Sequence, residues 1–137
     1  MEFRNMKKWT LIITVLFFTH LSFGQEKESQ SIAGFFKAGS VSGISSFFPA
    51  SLDMTILETE DVFSKAQATQ IITQFFKTNK PSDFVVNHKG SSKGGDYYQI
   101  GTLKTNNGTY RVTYFLKKDL DNVYIKRLKI ELDGDDF

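Results

Sequence analysis

The sequence predicts an α+β fold in which N-terminal helices pack on a curved antiparallel sheet, and three observations carry that expectation. Apolar residues recur at three- and four-residue steps through the first part of the chain, they switch to a period of two from Phe84 onward, and Asn107-Gly108 marks a hairpin between two alternating runs. Helices followed by a meander of strands allow the sheet to curl around the helices and bury their paired phenylalanines, giving a cone-like sandwich.

The chain opens with Arg4, Lys7 and Lys8 ahead of the apolar run Trp9 to Phe18, and Ser22 and Gly24 stand at minus three and minus one to a cut before Gln25. A charged, apolar, small-residue order of this kind describes a cleavable secretory leader. The apolar stretch is about ten residues long, against the roughly 20 that a bilayer span requires. Residues 1–24 are therefore read as a signal peptide and not as a permanent membrane anchor, with Met1 or Met6 as the start. Residues 25–137 then form a single domain, expected in the periplasm or outside the cell.

Cleavage removes 3 of the 17 basic and 1 of the 15 acidic residues and leaves 14 of each. A neutral domain lacks the basic surplus on which nucleic-acid binding draws, so that function is set aside. Cysteine is absent, which excludes a disulfide and a lipid-modified cysteine alike. The domain must fold on its core alone, and its 10 Phe and 5 Tyr in a chain well above roughly 70 to 80 residues supply one.

After a polar start, Ile32, Phe35 and Phe36 fall at helical spacing, and Val41, Ile44, Phe47 and Phe48 continue it past Gly39 as two short helices or one bent helix, stopped by Pro49. Leu52, Met54 and Ile56 alternate with Asp53 and Thr55 as a half-buried strand, and Glu58 to Asp61 reads as an acidic turn. Ser64 can cap a helix while Gln67 reaches back to it, with Ala68, Ile71, Ile72, Phe75 and Phe76 on one face. That helix is expected to end at Thr78-Asn79-Lys80-Pro81, with Asn79 in the left-handed position.

Phe84 and Val86 begin the strands, followed by a Gly/Ser loop and the run Tyr97 to Thr105. With Asn107 and Gly108 as the two central turn residues, Leu103 falls opposite Val112, Gly101 opposite Tyr114, Gln99 opposite Leu116, Lys104 opposite Arg111 and Thr102 opposite Thr113. The last strand, Val123 to Leu132, follows a turn over Asp119 to Asn122.

Three runs carry a resemblance: Phe63-Ser64-Lys65-Ala66-Gln67-Ala68, the loop His88-Lys89-Gly90-Ser91-Ser92-Lys93-Gly94-Gly95, and Ile100-Gly101-Thr102-Leu103 with Gly108-Thr109-Tyr110-Arg111-Val112. Together they resemble a family of small exported bacterial proteins of unknown function, which is similar to the nuclear transport factor two-like (cystatin-like) superfamily. The resemblance spans Ile32 to Leu132 and implies a curved sheet with a pocket between sheet and helices. The superfamily holds isomerases, dehydratases, binding subunits and proteins with no activity, and no catalytic residue is established for the family, so the resemblance implies none here.

Catalysis on such a scaffold needs an imidazole or carboxylate facing the cavity. His88 is the sole histidine of residues 25–137; it lies in phase with Phe84 and Val86, with Asp96, Tyr97 or Tyr98 nearby across the hairpin. Its plainer role is a partly buried histidine bonded to backbone at a sheet edge. Lys93 in the Gly/Ser loop could hold an anion, although the loop lacks the Lys-Ser/Thr of a phosphate loop and joins two strands. Lys104 and Arg111, with Tyr98, are candidates for binding a ligand or an acidic partner on the polar sheet face, which otherwise serves only for solvation.

Neither Asp119 and Asp121 nor the tail Asp133-Gly134-Asp135-Asp136 supplies a calcium loop, and one His without Cys does not make a zinc site, so no metal and no cofactor are expected. The pairs Phe35-Phe36, Phe47-Phe48 and Phe75-Phe76 widen buried stripes, with pocket lining or a homodimer face as their other use. Two functions follow from this reading: a non-catalytic module binding a small apolar ligand or a protein partner, and a small isomerase- or hydrolase-like enzyme using His88, Asp53 or Asp96 within the cone. A closed, Phe-filled cone favours the first, and an open pocket holding His88 with a Tyr or carboxylate favours the second.

Overall fold

In a computed structural model that describes residues 23–134, helix α1 spans Phe23–Ala38. The expected leader lies outside the described residues except for Phe23 and Gly24, which open this helix. Ile32 and Phe36 are fully buried on its inner face. Gly39 ends it with φ +65°: its N–H donates to Phe36 O and that of Ser40 to Phe35 O, the paired bonds of a left-handed helix stop. Helix α2, Val41–Ser45, starts under the Ser40 hydroxyl, which accepts from Gly43 N at 3.2 Å. The helical spacing thus makes two helices, and α2 stops short of Phe47 and Phe48.

Strand β1 is Ser51–Ile56, with Leu52 and Met54 buried as its alternation requires. A second strand, β2 at Thr59–Ser64, stands where the sequence suggested an acidic turn, and pairs antiparallel with β1 across the two-residue turn Leu57-Glu58. Its side chains are almost all exposed, so pairing with β1 and not an apolar face holds it. Ser64 closes β2 and caps α3, Lys65–Thr78, with the reciprocal bonds Gln67 N to Ser64 Oγ at 3.2 Å and Ser64 N to Gln67 Oε1 at 3.0 Å. Ala68, Ile72, Phe75 and Phe76 are the buried face of α3.

Four strands follow: β3, Pro81–Ser91; β4, Tyr97–Thr105; β5, Gly108–Asp119; and β6, Asn122–Leu132. The curved sheet runs β2-β1-β6-β5-β4-β3, and it is mixed, since β1 and β6 are parallel. The all-antiparallel expectation fails for a topological reason. Helix α3 carries the chain back before β3 starts, so β3 runs in the direction of β2, and alternation through the meander returns β6 in the direction of β1.

The β4–β5 register differs from the expected one by two residues. Thr105 faces Gly108, so Leu103 lies opposite Tyr110, Gly101 opposite Val112 and Thr102 opposite Arg111. A two-residue shift keeps every side chain on its expected face, which is why the alternation survived it. The turn centres on Asn106-Asn107 because both asparagines tie it to the end of α3: Asn106 Oδ1 accepts from Lys80 N at 2.8 Å, Asn106 N donates to Lys80 O, and Asn107 Nδ2 donates to Thr78 O. Asn79 is likewise not left-handed (φ −121°). Its N–H and Nδ2 both reach Phe75 O, and its Oδ1 accepts from the Tyr110 hydroxyl at 2.8 Å.

The interior of the cone is filled by rings. Phe36 stacks on Tyr114 at 6.0 Å, meets Phe84 at 5.4 Å and takes the edge contact with Phe76 at 6.2 Å, while Phe75 and Tyr110 meet edge to face at 5.0 Å. Leu103, Val112, Leu116, Ile125, Leu128 and Ile130 complete the sheet side of the core.

Candidate functional site

One concavity, of about 340 Å³, lies between α1 and β3 and is lined by Gln30, Ala33, Val86, Asn87, His88, Lys89 and Gln99. A β-bulge between Val86 and His88 breaks the phase that would have aimed His88 inward, so that His88 faces Ile100 and is exposed. Asn87, the extra residue, donates from Nδ2 to Thr102 Oγ1 at 2.7 Å. Beyond the bulge Lys89 lies opposite Gln99, and its ammonium reaches Glu26 of α1 at 3.1 Å. That bond, with the charge of the Glu26 carboxylate, raises the Lys89 pKa above its ordinary 10.5. No tyrosine or carboxylate belongs to the lining of this cleft.

Behind it sits a buried polar cluster. Gln99 Nε2 donates to Ser29 Oγ at 2.9 Å, Ser29 Oγ donates to Glu26 O at 2.8 Å, and the Tyr114 hydroxyl lies within reach of both Gln99 Oε1 and Ser29 O. Burial, together with the charge of Tyr97, raises the Tyr114 pKa well above 10.0, so the phenol stays protonated. The cluster is closed on itself, and no buried side-chain nitrogen or oxygen among the described residues lacks a partner. Chemically it is a polar plug in the cone.

A second concavity runs along α3 where that helix faces the β1–β2 hairpin. It comprises a groove of about 410 Å³ lined by Phe63, Gln67, Gln70, Ile71 and Gln74, and a mouth of about 520 Å³ formed by Ile56 to Thr59, Ile71, Phe75, Tyr110 and Leu132. Ile71 belongs to both. Leu57 and Leu132, 45% and 71% exposed, stand at the mouth. Gln67, Gln70 and Gln74 are the polar lining of the groove, Glu58 and Thr59 that of the mouth beside the Tyr110 phenol, and no basic residue lines either part.

The residues singled out from sequence are not brought together. Lys93 is exposed in the β3–β4 loop. Tyr98 lies on the sheet face away from the helices, its ring 5.8 Å from that of Phe115. Lys104 is opposite Thr109 and Arg111 opposite Thr102, so the two are diagonal and not side by side, and Arg111 pairs with Asp133 at 3.7 Å. Asp53 and Asp96 do not enter the cone: Asp53 bonds Arg127 at 2.9 Å and Asp96 bonds Lys126 at 3.0 Å. Among the described residues no group of three potential metal ligands converges, and no helix is long and apolar enough to cross a membrane. Sequence reasoning missed Ser29, which lay in the polar start, and the glutamines of α3. Gln99 did signal itself, as a polar residue in the apolar phase of β4.

Helices laid into a curved mixed sheet, with a filled cone and clefts at its margins, define a nuclear transport factor two-like, cystatin-like α+β domain. Residues 29–131 match the model of the domain of unknown function DUF4783, and the chain belongs to that family. A DUF4783 family protein from Bacteroides ovatus ATCC 8483 is 31% identical, with a TM-score of 0.71 over 77% of this chain and 94% of that one. Two more distant structures show the fold alone. Rd1NTF2_04 with long sheet is 16% identical, with a TM-score of 0.59 over 77% and 97% of the two chains. An uncharacterised cystatin fold protein from Novosphingobium aromaticivorans is 11% identical, with a TM-score of 0.53 over 76% and 94%. No curated protein matches the chain.

Proposed function

We propose that this domain is a non-catalytic binding module, exported by cleavage of residues 1–24, whose ligand site is the groove between α3 and the β1–β2 hairpin. One observation carries the reading: the groove is open and floored by Phe63, Ile71 and Phe75, whereas the cone interior is filled with rings and a closed polar cluster. Sites for small molecules and peptides are mostly apolar concavities of about 300 to 1,000 Å³ with a few polar groups, and the groove has that character. The cleft that holds His88 is lined by no tyrosine or carboxylate, and its other ionisable residue, Lys89, is engaged by Glu26, which leaves no free partner for a two-sided proton transfer.

An apolar fluorescent dye tests the reading. Dye bound to the domain should be displaced or weakened by Ile71→Gln in the groove and left unchanged by His88→Ala in the other cleft. Dye binding that is lost in His88→Ala and retained in Ile71→Gln would move the site to the α1–β3 cleft and revive the enzyme reading.

A further inference from the structure

Strand β2 is an edge of the sheet, and it forms one wall of the groove whose other wall is α3. Because Ile56 and Thr59 close a two-residue turn, bonded and non-bonded pairs alternate down the hairpin, and Val62, opposite Asp53, turns its N–H and C=O away from β1. The Val62 N–H is held only by the side chain of its neighbour, Asp61 Oδ1, at 2.7 Å. Asp61 lies opposite buried Met54, so its register position is on the groove side of β2. Glu58, Glu60 and Asp61 are exposed and take part in none of the ion pairs among the described residues.

We infer that the groove accepts an extended segment of a partner protein as an added strand on β2, with alternate apolar side chains on the groove face, over Phe63 and Ile71, and the intervening basic side chains on the opposite face, against Glu60. The inference rests on the groove being the binding site and specifies its occupant. Strand addition takes affinity from backbone bonds at the edge and specificity from pockets for every second side chain, and both are present here. The Asp61 carboxylate acts as a placeholder on the edge donor, and an incoming carbonyl replaces it. A second copy of the chain is disfavoured as occupant, because two such edges would bring together three carboxylates from each copy.

Titration of the isotope-labelled domain with a synthetic alternating Val-Lys hexapeptide, followed by amide shifts, tests this. The expected result is shifts confined to Thr59–Ser64 and to α3, weakened about tenfold or more by Glu60→Lys, by Val62→Pro, and by N-methylation of alternate peptide bonds in the probe with the protein unchanged. An alternating Val-Glu hexapeptide should leave the spectrum still. If the Val-Lys peptide fails to bind while the apolar dye still occupies the groove, strand addition is overturned and the groove reading stands; if neither binds, both fall. Equal binding of the N-methylated and unmodified peptides would also overturn it.

Discussion

Tyr114 closes the interior of the cone on Gln99, donating its hydroxyl toward the amide oxygen while its ring stacks on Phe36 at 6.0 Å. The pair turns what could have been a polar reactive pocket into a satisfied part of the core. Tyr114→Phe leaves the buried Gln99 oxygen short of a donor, so urea unfolding should show a loss of about 1 to 3 kcal/mol with an unchanged denaturant slope.

The same phenol sets an alkaline limit. Its folded pKa lies above the ordinary 10.0, so above pH 10 the unfolded chain releases a proton that the native state retains. Stability is complete below that point and falls as pH rises, by up to about 1.4 kcal/mol per pH unit. Lys89, raised by Glu26 above 10.5, adds a loss of the same sign at slightly higher pH, small because the pair is exposed. Unfolding at pH 9 and pH 11 should therefore differ in the wild type and differ less in Tyr114→Phe.

Gly101 is a packing glycine. A Cβ there would stand 2.9 Å from Val85 O and closer still to the Phe84 ring. Gly101→Ala should cost about 1 to 3 kcal/mol by overpacking, measurable as a fall in Tm.

Leu120 holds φ +54° at the β5–β6 turn while 88% exposed, so it carries left-handed strain with little packing in return. Such a conformation costs an ordinary residue about 1 to 2 kcal/mol, and glycine gives back about 0.5 to 1 of that in chain entropy. Leu120→Gly should raise stability slightly in thermal unfolding; a clear loss would mean that the leucine makes contacts which outweigh the strain.

Much of this fold was legible because its strongest elements are local. The Ser64–Gln67 capping box, the α3 stripe and the bounds of β4 follow from neighbours within a turn or a pleat. What escaped is tertiary. Strand β2 has one partly buried side chain and exists through β1, the β4–β5 turn moved because Asn106 and Asn107 serve the end of α3, and the bulge at Asn87 reversed His88. The groove along α3 takes Phe63 from β2, so the residues that line it could not be assembled from periodicity.

The central claim is that the open groove along α3, and not the cone interior or the His88 cleft, is where the domain binds. Amide-shift mapping of the labelled domain against a set of small apolar fragments tests it most directly. Perturbations are expected at Thr59, Phe63, Gln67, Gln70, Ile71 and Gln74, with Gln30, Val86, His88 and Gln99 unmoved. Perturbations centred on those last four residues, with the groove silent, would contradict it.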